Sequence, residues 1–135
     1  MTTKIFVNLP VKDLDRSKSF FERIGFTFNP QFTDETAACM VITGDIYAML
    51  LTHAKFKEFT PKAIADAKTS TEVLIALSFE SKARVDEIAA KALDAGGREA
   101  REGKDHGFMY ERSFEDLDGH IWEIVWMDPQ FVRQG

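Results

Sequence analysis

The stretch KIFVNLPVKDLDRSKSFFERIG, residues 4–25, decides how the fold is read. Its first half alternates, with Ile5, Val7 and Leu9 on one side and Phe6 and Asn8 on the other, which is the period-two pattern of a strand. Its second half changes to helical spacing. Asp13 stands as an N-cap, Leu14, Ser17, Phe20, Phe21 and Ile24 form one stripe, and Gly25 stands where a helix stops. Working outward, residues 26–28, 36–42 and 46–52 read as three further strands, the last two joined by a hairpin at Gly44-Asp45. The first part of the chain is therefore βαβββ.

The same order returns downstream. Residues 72–79 are rich in Val, Leu, Ile and Phe, and Ser81 caps a helix whose stripe is Val85, Ile88, Ala89, Ala92 and Leu93. Gly96-Gly97 stops that helix, and residues 98–101, 108–114 and 121–127 supply three strands, with a turn at Asp118-Gly119 before the last. The two caps lie 68 residues apart, about half of the 135-residue chain, so the repeat is one of pattern. We expect one α+β domain of two βαβββ modules, residues 1–53 and 71–135. The linker, residues 54–70, is expected to hold a short helix starting at Thr60-Pro61.

Composition narrows the function. Seventeen Lys and Arg against 22 Asp and Glu give a net charge of −5 with no basic stripe, so no nucleic-acid partner is expected. No apolar run approaches the roughly 20 residues that cross a bilayer, and the first ten residues lack the regions of a signal peptide. A cytoplasmic location, with no membrane partner, is the expectation. The single Cys39 excludes an internal disulfide and a cysteine-based zinc cluster, and its apolar strand makes it an inert core thiol. His53, His106 and His120 have no spacing that would put two ligands on one helical face. His106 and His120 are read as exposed or turn-supporting, and His53 as a candidate for a cavity mouth.

Strand alternation then proposes which side chains face away from the helices. Choosing the more apolar row as the helix side leaves Phe6 and Asn8 in the first strand, Leu50 and Thr52 in the fourth and Leu74 in the fifth looking inward. In the last strand Trp122, Ile124 and Trp126 form one row, and Ile121, Glu123, Val125 and Met127 the other. Glu123 is thus a carboxylate in an apolar row, which calls for a cation, a metal or hydrogen-bond donors. Either it pairs with an Arg or water, or it is functional. Tyr110 and Arg112 share a row with Phe108 and Phe114. That row either offers a phenol and a guanidinium to an anionic ligand, or packs outward with Arg112 on a surface carboxylate.

Residues 9–17, LPVKDLDRS, and residues 116–123, DLDGHIWE, resemble the two signature regions of the vicinal oxygen chelate superfamily. That superfamily includes glyoxalase I, bleomycin-resistance proteins, fosfomycin-resistance enzymes and extradiol dioxygenases. The stretch from residue 107 to residue 128 is most similar to its lactoylglutathione-lyase-related branch. The resemblance implies the glyoxalase/bleomycin resistance/dioxygenase fold, with curved mixed sheets around a cavity, and a homodimer. Members with metal chemistry carry one ligand on each of the first, fourth, fifth and eighth strands. Those positions fall on Phe6, Leu50, Leu74 and Glu123, so one of four survives. A site for such an ion needs three or more protein groups. No cofactor is therefore expected, and a divalent metal only through a non-standard site. The resemblance further implies a small organic ligand in the inter-sheet cavity, bound by Phe6, Asn8, Leu50, Thr52, Leu74, Tyr110 and Arg112. Glu123 would act as the base of an isomerase or lyase. The alternative is a bleomycin-resistance-like protein that binds or sequesters its ligand without reaction.

Overall fold

The computed structural model describes residues 3–132. The chain forms two compact units, Met1–Asp66 and Ala67–Gly135. In the first, β1 (Ile5–Val11) leads into α1 (Leu14–Ile24), then β2 (Thr27–Phe28), a 3-10 turn at Pro30–Phe32, β3 (Ala37–Val41), β4 (Ile46–Thr52) and α2 (His53–Lys57). The sheet order is β1-β4-β3-β2, with β1 parallel to β4 and the other pairs antiparallel.

The local chemistry explains the boundaries. Asp13 accepts the Arg16 N–H at 3.1 Å, a cap worth about 1 kcal/mol. Gly25 ends α1 at φ 121°, where a side chain would be strained, and its N–H reaches the Phe21 and Glu22 carbonyls. The stripe foreseen for α1 is buried, and Phe20, Phe21 and Ile24 each contribute roughly 1.5–3 kcal/mol by leaving water. At the hairpin before β4, the Thr43 hydroxyl accepts the Asp45 and Ile46 N–H groups.

The short helix is not where the Thr60-Pro61 pair suggested. It is α2, begun directly at the end of β4 because the Thr52 hydroxyl accepts the Lys55 N–H at 3.2 Å. Thr60 instead uses its hydroxyl to accept the Lys62 N–H, a local turn that stops there.

The second unit contains β5 (Leu74–Ser78), α3 (Lys82–Asp94), β6 (Arg98–Glu99), β7 (Lys104–Asp105), β8 (Met109–Glu115), β9 (Ile121–Met127) and α4 (Pro129–Val132). Its sheet runs β5-β9-β8-β6, with β7 also paired to β8, so the stretch after α3 holds one more short strand than expected. Ser81 caps α3 as foreseen, its hydroxyl accepting the Arg84 N–H. Val85, Ile88, Ala89 and Ala92 are buried, whereas Leu93 lies at the edge of the stripe and is exposed. Beneath α3, Phe114 and Trp122 stack across the β8–β9 ladder with centroids 6.4 Å apart.

The turn into β9 is built around Asp116. One carboxylate oxygen accepts the Asp118 and His120 N–H groups, and the other accepts the Trp122 indole N–H at 3.0 Å. Burial pushes this carboxyl above its ordinary value. Gly119 completes the turn at φ 94°, and a Cβ there would stand 2.9 Å from the backbone of Ala67 and Lys68.

Candidate functional site

Ladder partners share a face of their sheet, so the register assigns every row. In the second sheet, Ile75 and Leu77 of β5 pair with Trp122 and Ile124 of β9, which in turn pair with Phe114 and Arg112 of β8. This row faces α3. The opposite face carries Leu74, Ala76 and Ser78, then Ile121, Glu123, Val125 and Met127, then Glu111 and Ser113. Alternation had correctly separated the rows of β5 and β9.

On that face Glu123 meets an arginine. Arg101, in the coil between β6 and β7, donates through Nη2 to Glu123 Oε2 at 2.9 Å and through Nη1 to Glu111 Oε1 at 2.9 Å. The Arg101 N–H also donates to the buried Ser113 hydroxyl at 3.2 Å, which fixes the backbone from which the side chain springs. His106 Nε2 lies 3.7 Å from Glu111 Oε1. The guanidinium beside Glu111 holds that carboxyl below its ordinary value, and its hydrogen bonds to Glu123 and Glu111 raise the Arg101 pKa. The two carboxylate side chains are 13% and 18% exposed while Arg101 is 46% exposed, so the cation lies outermost.

Of the two readings open for Glu123, pairing with an arginine is the arrangement seen. Arg101 and Glu111 were not singled out from the sequence. Glu111 stood in the row that alternation could not orient, and Arg101 was expected inside a strand instead of in the coil that follows two paired residues.

The other candidates are distributed differently. Tyr110 and Arg112 lie on the helix side, where the Tyr110 hydroxyl donates to Asp86 of α3 at 2.5 Å and Arg112 donates to the same carboxylate at 3.2 Å. The hydrogen bond to Asp86 raises the Tyr110 pKa. This is the outward-packing alternative, and it places both residues on the opposite face from Glu123. Arg112 also approaches Glu99 at 3.7 Å.

In the first sheet, β1 pairs Phe6 with Tyr47, Asn8 with Met49 and Leu9 with Leu50. Leu50 therefore shares the helix-side face with Leu9 and is fully buried, which corrects its expected inward orientation. Alternation misled because Tyr47, Met49 and Leu51 look as apolar as Ala48 and Leu50, and only the ladder with β1 distinguishes them. The face bearing Phe6 and Asn8 carries Tyr47 and Met49 instead. Thr52 lies on the Leu50 side and caps α2. Phe6 stacks on Tyr47 at 4.7 Å, half exposed, and Asn8 donates its amide to the Phe6 carbonyl.

His53 and His106 are exposed, and the His120 backbone serves the Asp116 turn. Cys39 is buried, which pushes its thiol up and away from reactivity. The corrected register supplies no replacement for the metal-ligand positions: Phe6, Met49 and Leu74 have no hard donor, and Glu123 is held by Arg101. Among the described residues no group of three or more His, Cys, Asp or Glu side chains is arranged to hold a metal ion, so the residues present do not fit a metal centre of the usual kind. Among the described residues, too, no helix is long and apolar enough to cross a membrane.

Residues 3–43 match the family described as bleomycin resistance protein-like N-terminal. No curated protein matches the chain. A hypothetical protein from S. aureus is similar at 28% identity and a TM-score of 0.78, over 93% of this chain and 95% of that one. A glyoxalase/bleomycin resistance protein/dioxygenase family enzyme from Burkholderia phytofirmans PsJN shares the fold at 15% identity and a TM-score of 0.76, over 93% and 99%. Fosfomycin resistance protein FosX from Mesorhizobium loti shares it at 16% identity and a TM-score of 0.70, over 100% and 99%. The chain thus has the fold of these glyoxalase/bleomycin resistance/dioxygenase neighbours, and residues 3–43 resemble the bleomycin resistance protein-like N-terminal family.

Proposed function

We propose that this protein binds a small organic molecule against the face of the second sheet that carries Glu123. The observation behind this reading is the composition of that face: Glu111, Glu123 and Arg101 converge in a row that mixes apolar side chains, exposed Leu74 and Met127 among them, with Ser78, Ser113 and Glu115. A few polar groups among apolar ones is the usual makeup of a small-molecule site. Binding without a metal is the favoured form, because three of the four superfamily ligand positions cannot donate. Metal content of the purified protein tests this. Near-stoichiometric metal that is lost in Glu123→Ala would overturn it.

The ligand is sought by thermal shift with a panel that includes bleomycin, fosfomycin and S-lactoylglutathione, the compounds suggested by the family description, the structural neighbours and the lyase-related branch. A compound that stabilises the wild type and not Glu123→Ala supports the reading. The retained Glu123 also favours a second form, a lyase or isomerase in which that carboxylate moves a proton. Product formed from a bound compound by the wild type and not by Glu123→Gln would establish that form. The resemblance implies a homodimer, which light scattering checks by mass.

A further inference from the structure

We propose that residues 100–103 form a strap over the Glu123 face, with Arg101 as its clasp, and that a small molecule reaches Glu123 only when the clasp opens. The proposal rests on the binding reading above and adds the regulation of that face.

The register of the edge strands carries it. β6 sets Arg98 and Glu99 opposite Glu115 and Phe114, and β7 sets Lys104 and Asp105 opposite Glu111 and Tyr110. Four residues, 100–103, therefore span the two β8 residues Arg112 and Ser113, two more than a continuous ladder would hold. A bulge of this kind bends the strand away from its neighbour and re-aims a side chain. Here that side chain is Arg101, which reaches across β8 to Glu123 on β9.

Both ends of the bulge are pinned on the α3 side of the sheet. Glu99 lies 3.7 Å from the Arg112 guanidinium, and Asp105 accepts the Lys82 ammonium at 3.0 Å. Between these pins Arg101 is tied by its N–H to the Ser113 hydroxyl and by its guanidinium to Glu111 and Glu123. None of residues 100–103 is buried. Opening the strap thus breaks half-exposed ion pairs and one hydrogen bond and uncovers no packed core, the makeup of a segment that opens without global unfolding. In the closed strap the Glu123 carboxylate is engaged by the cation above it. In the open strap it is free to anchor a ligand or to move a proton.

Gly103 offers a way to lift the strap without touching a charge. Its φ is not in the left-handed region, so a side chain there meets only a steric limit. A Cβ would stand 3.0 Å from the Glu111 carbonyl oxygen and 3.2 Å from Arg112 Cγ. Valine at this position would push the strap off β8 with Arg101, Glu111 and Glu123 all retained.

The test measures access to Glu123 by labelling the full chain with a water-soluble carbodiimide and glycinamide, read by peptide mass spectrometry against exposed Glu22 of α1. Native-state hydrogen exchange of the residue-101 amide is followed alongside. Gly103→Val should raise Glu123 labelling and residue-101 exchange roughly fivefold over the wild type. Ser113→Ala, which frees the Arg101 N–H, should act in the same direction and is a second charge-neutral route. In Arg101→Gln both rates should rise as well. Raising NaCl from about 0.05 M to about 0.5 M should speed both in the wild type and neither in Arg101→Gln. A wild-type residue-101 amide that exchanges only with global unfolding, together with Ile124 of β9, would overturn the proposal. So would Glu123 labelling that stays at the wild-type rate in folded Gly103→Val or Ser113→Ala. Neither readout uses a ligand, so the thermal-shift panel judges the binding reading separately from the strap.

Discussion

In the first sheet the rung Asn8–Met49–Cys39 crosses an edge strand, its parallel neighbour and the next antiparallel strand on the face away from α1. The rung Ala76–Glu123–Ser113 crosses the corresponding three strands of the second sheet on the face away from α3. Topology, register and helix placement are shared, yet one rung holds an amide and two sulfur side chains and the other a carboxylate and a hydroxyl. The first face is completed by Phe6 stacked on Tyr47, the second by Arg101 joining Glu111 to Glu123. The repeated architecture is a scaffold satisfied by helix-side packing alone, and the opposite row is free to hold either more packing or chemistry. Here the second unit sets two carboxylates and an arginine on it.

The comparison is sharpest at two leucines, one on a helix-side face and one on the face away from the helix. Leu50→Ala, at a fully buried site between β1, β3 and α1, should cost about 3 kcal/mol in urea unfolding, whereas Leu74→Ala, half exposed on the Glu123 face, should cost less than about 1 kcal/mol. Equal losses would mean that the two faces do not differ as described.

Next come the aspartates that organise turns. Asp116→Ala strands the Trp122 indole N–H and two backbone donors inside the second unit and should cost about 2 kcal/mol. Asp34 serves the first unit similarly, accepting the Thr36 N–H and hydroxyl and the Ala37 N–H, but it is exposed, so water replaces it and Asp34→Ala should cost clearly less. Thermal unfolding of the two variants ranks them.

The smallest effect concerns the charged row itself. Arg101→Gln should lower stability at neutral pH by less than about 1 kcal/mol, since the cation is half exposed. The sign with pH follows from Glu111, whose folded pKa Arg101 depresses. That contribution is fully present above the unfolded glutamate value of about 4.3 and is lost as pH falls through the lower folded value. Urea midpoints of wild type and Arg101→Gln should therefore converge in acid, and a gap that widens there would contradict the pairing.

Much of the scaffold was legible because its signals are local. Asp13, Gly25 and Ser81 act through hydrogen bonds within four residues, so spacing alone locates both long helices, and the Gly44-Asp45 hairpin is equally self-contained. The row containing Glu123 was legible too, because Trp122 and Ile124 are so much more apolar than their alternates. What spacing could not supply was register. Leu50 was misplaced by one position since both rows of β4 are apolar, and the ladder with β1 decides between them. Arg101 was hidden for a related reason: it reaches Glu123 from 22 residues away through a coil, where no periodicity announces which way a side chain turns. Tyr110 and Arg112 shared that ambiguity until Asp86 on α3 fixed their side.

The single cysteine, Cys39, is buried in the first unit, and both tryptophans, Trp122 and Trp126, belong to β9 in the second. Thiol labelling of the native chain therefore clocks the opening of one half, and indole fluorescence clocks the other. The wild-type protein thus carries one reporter per half, a thiol in one and indoles in the other, and the order in which the halves come apart can be timed without changing a residue.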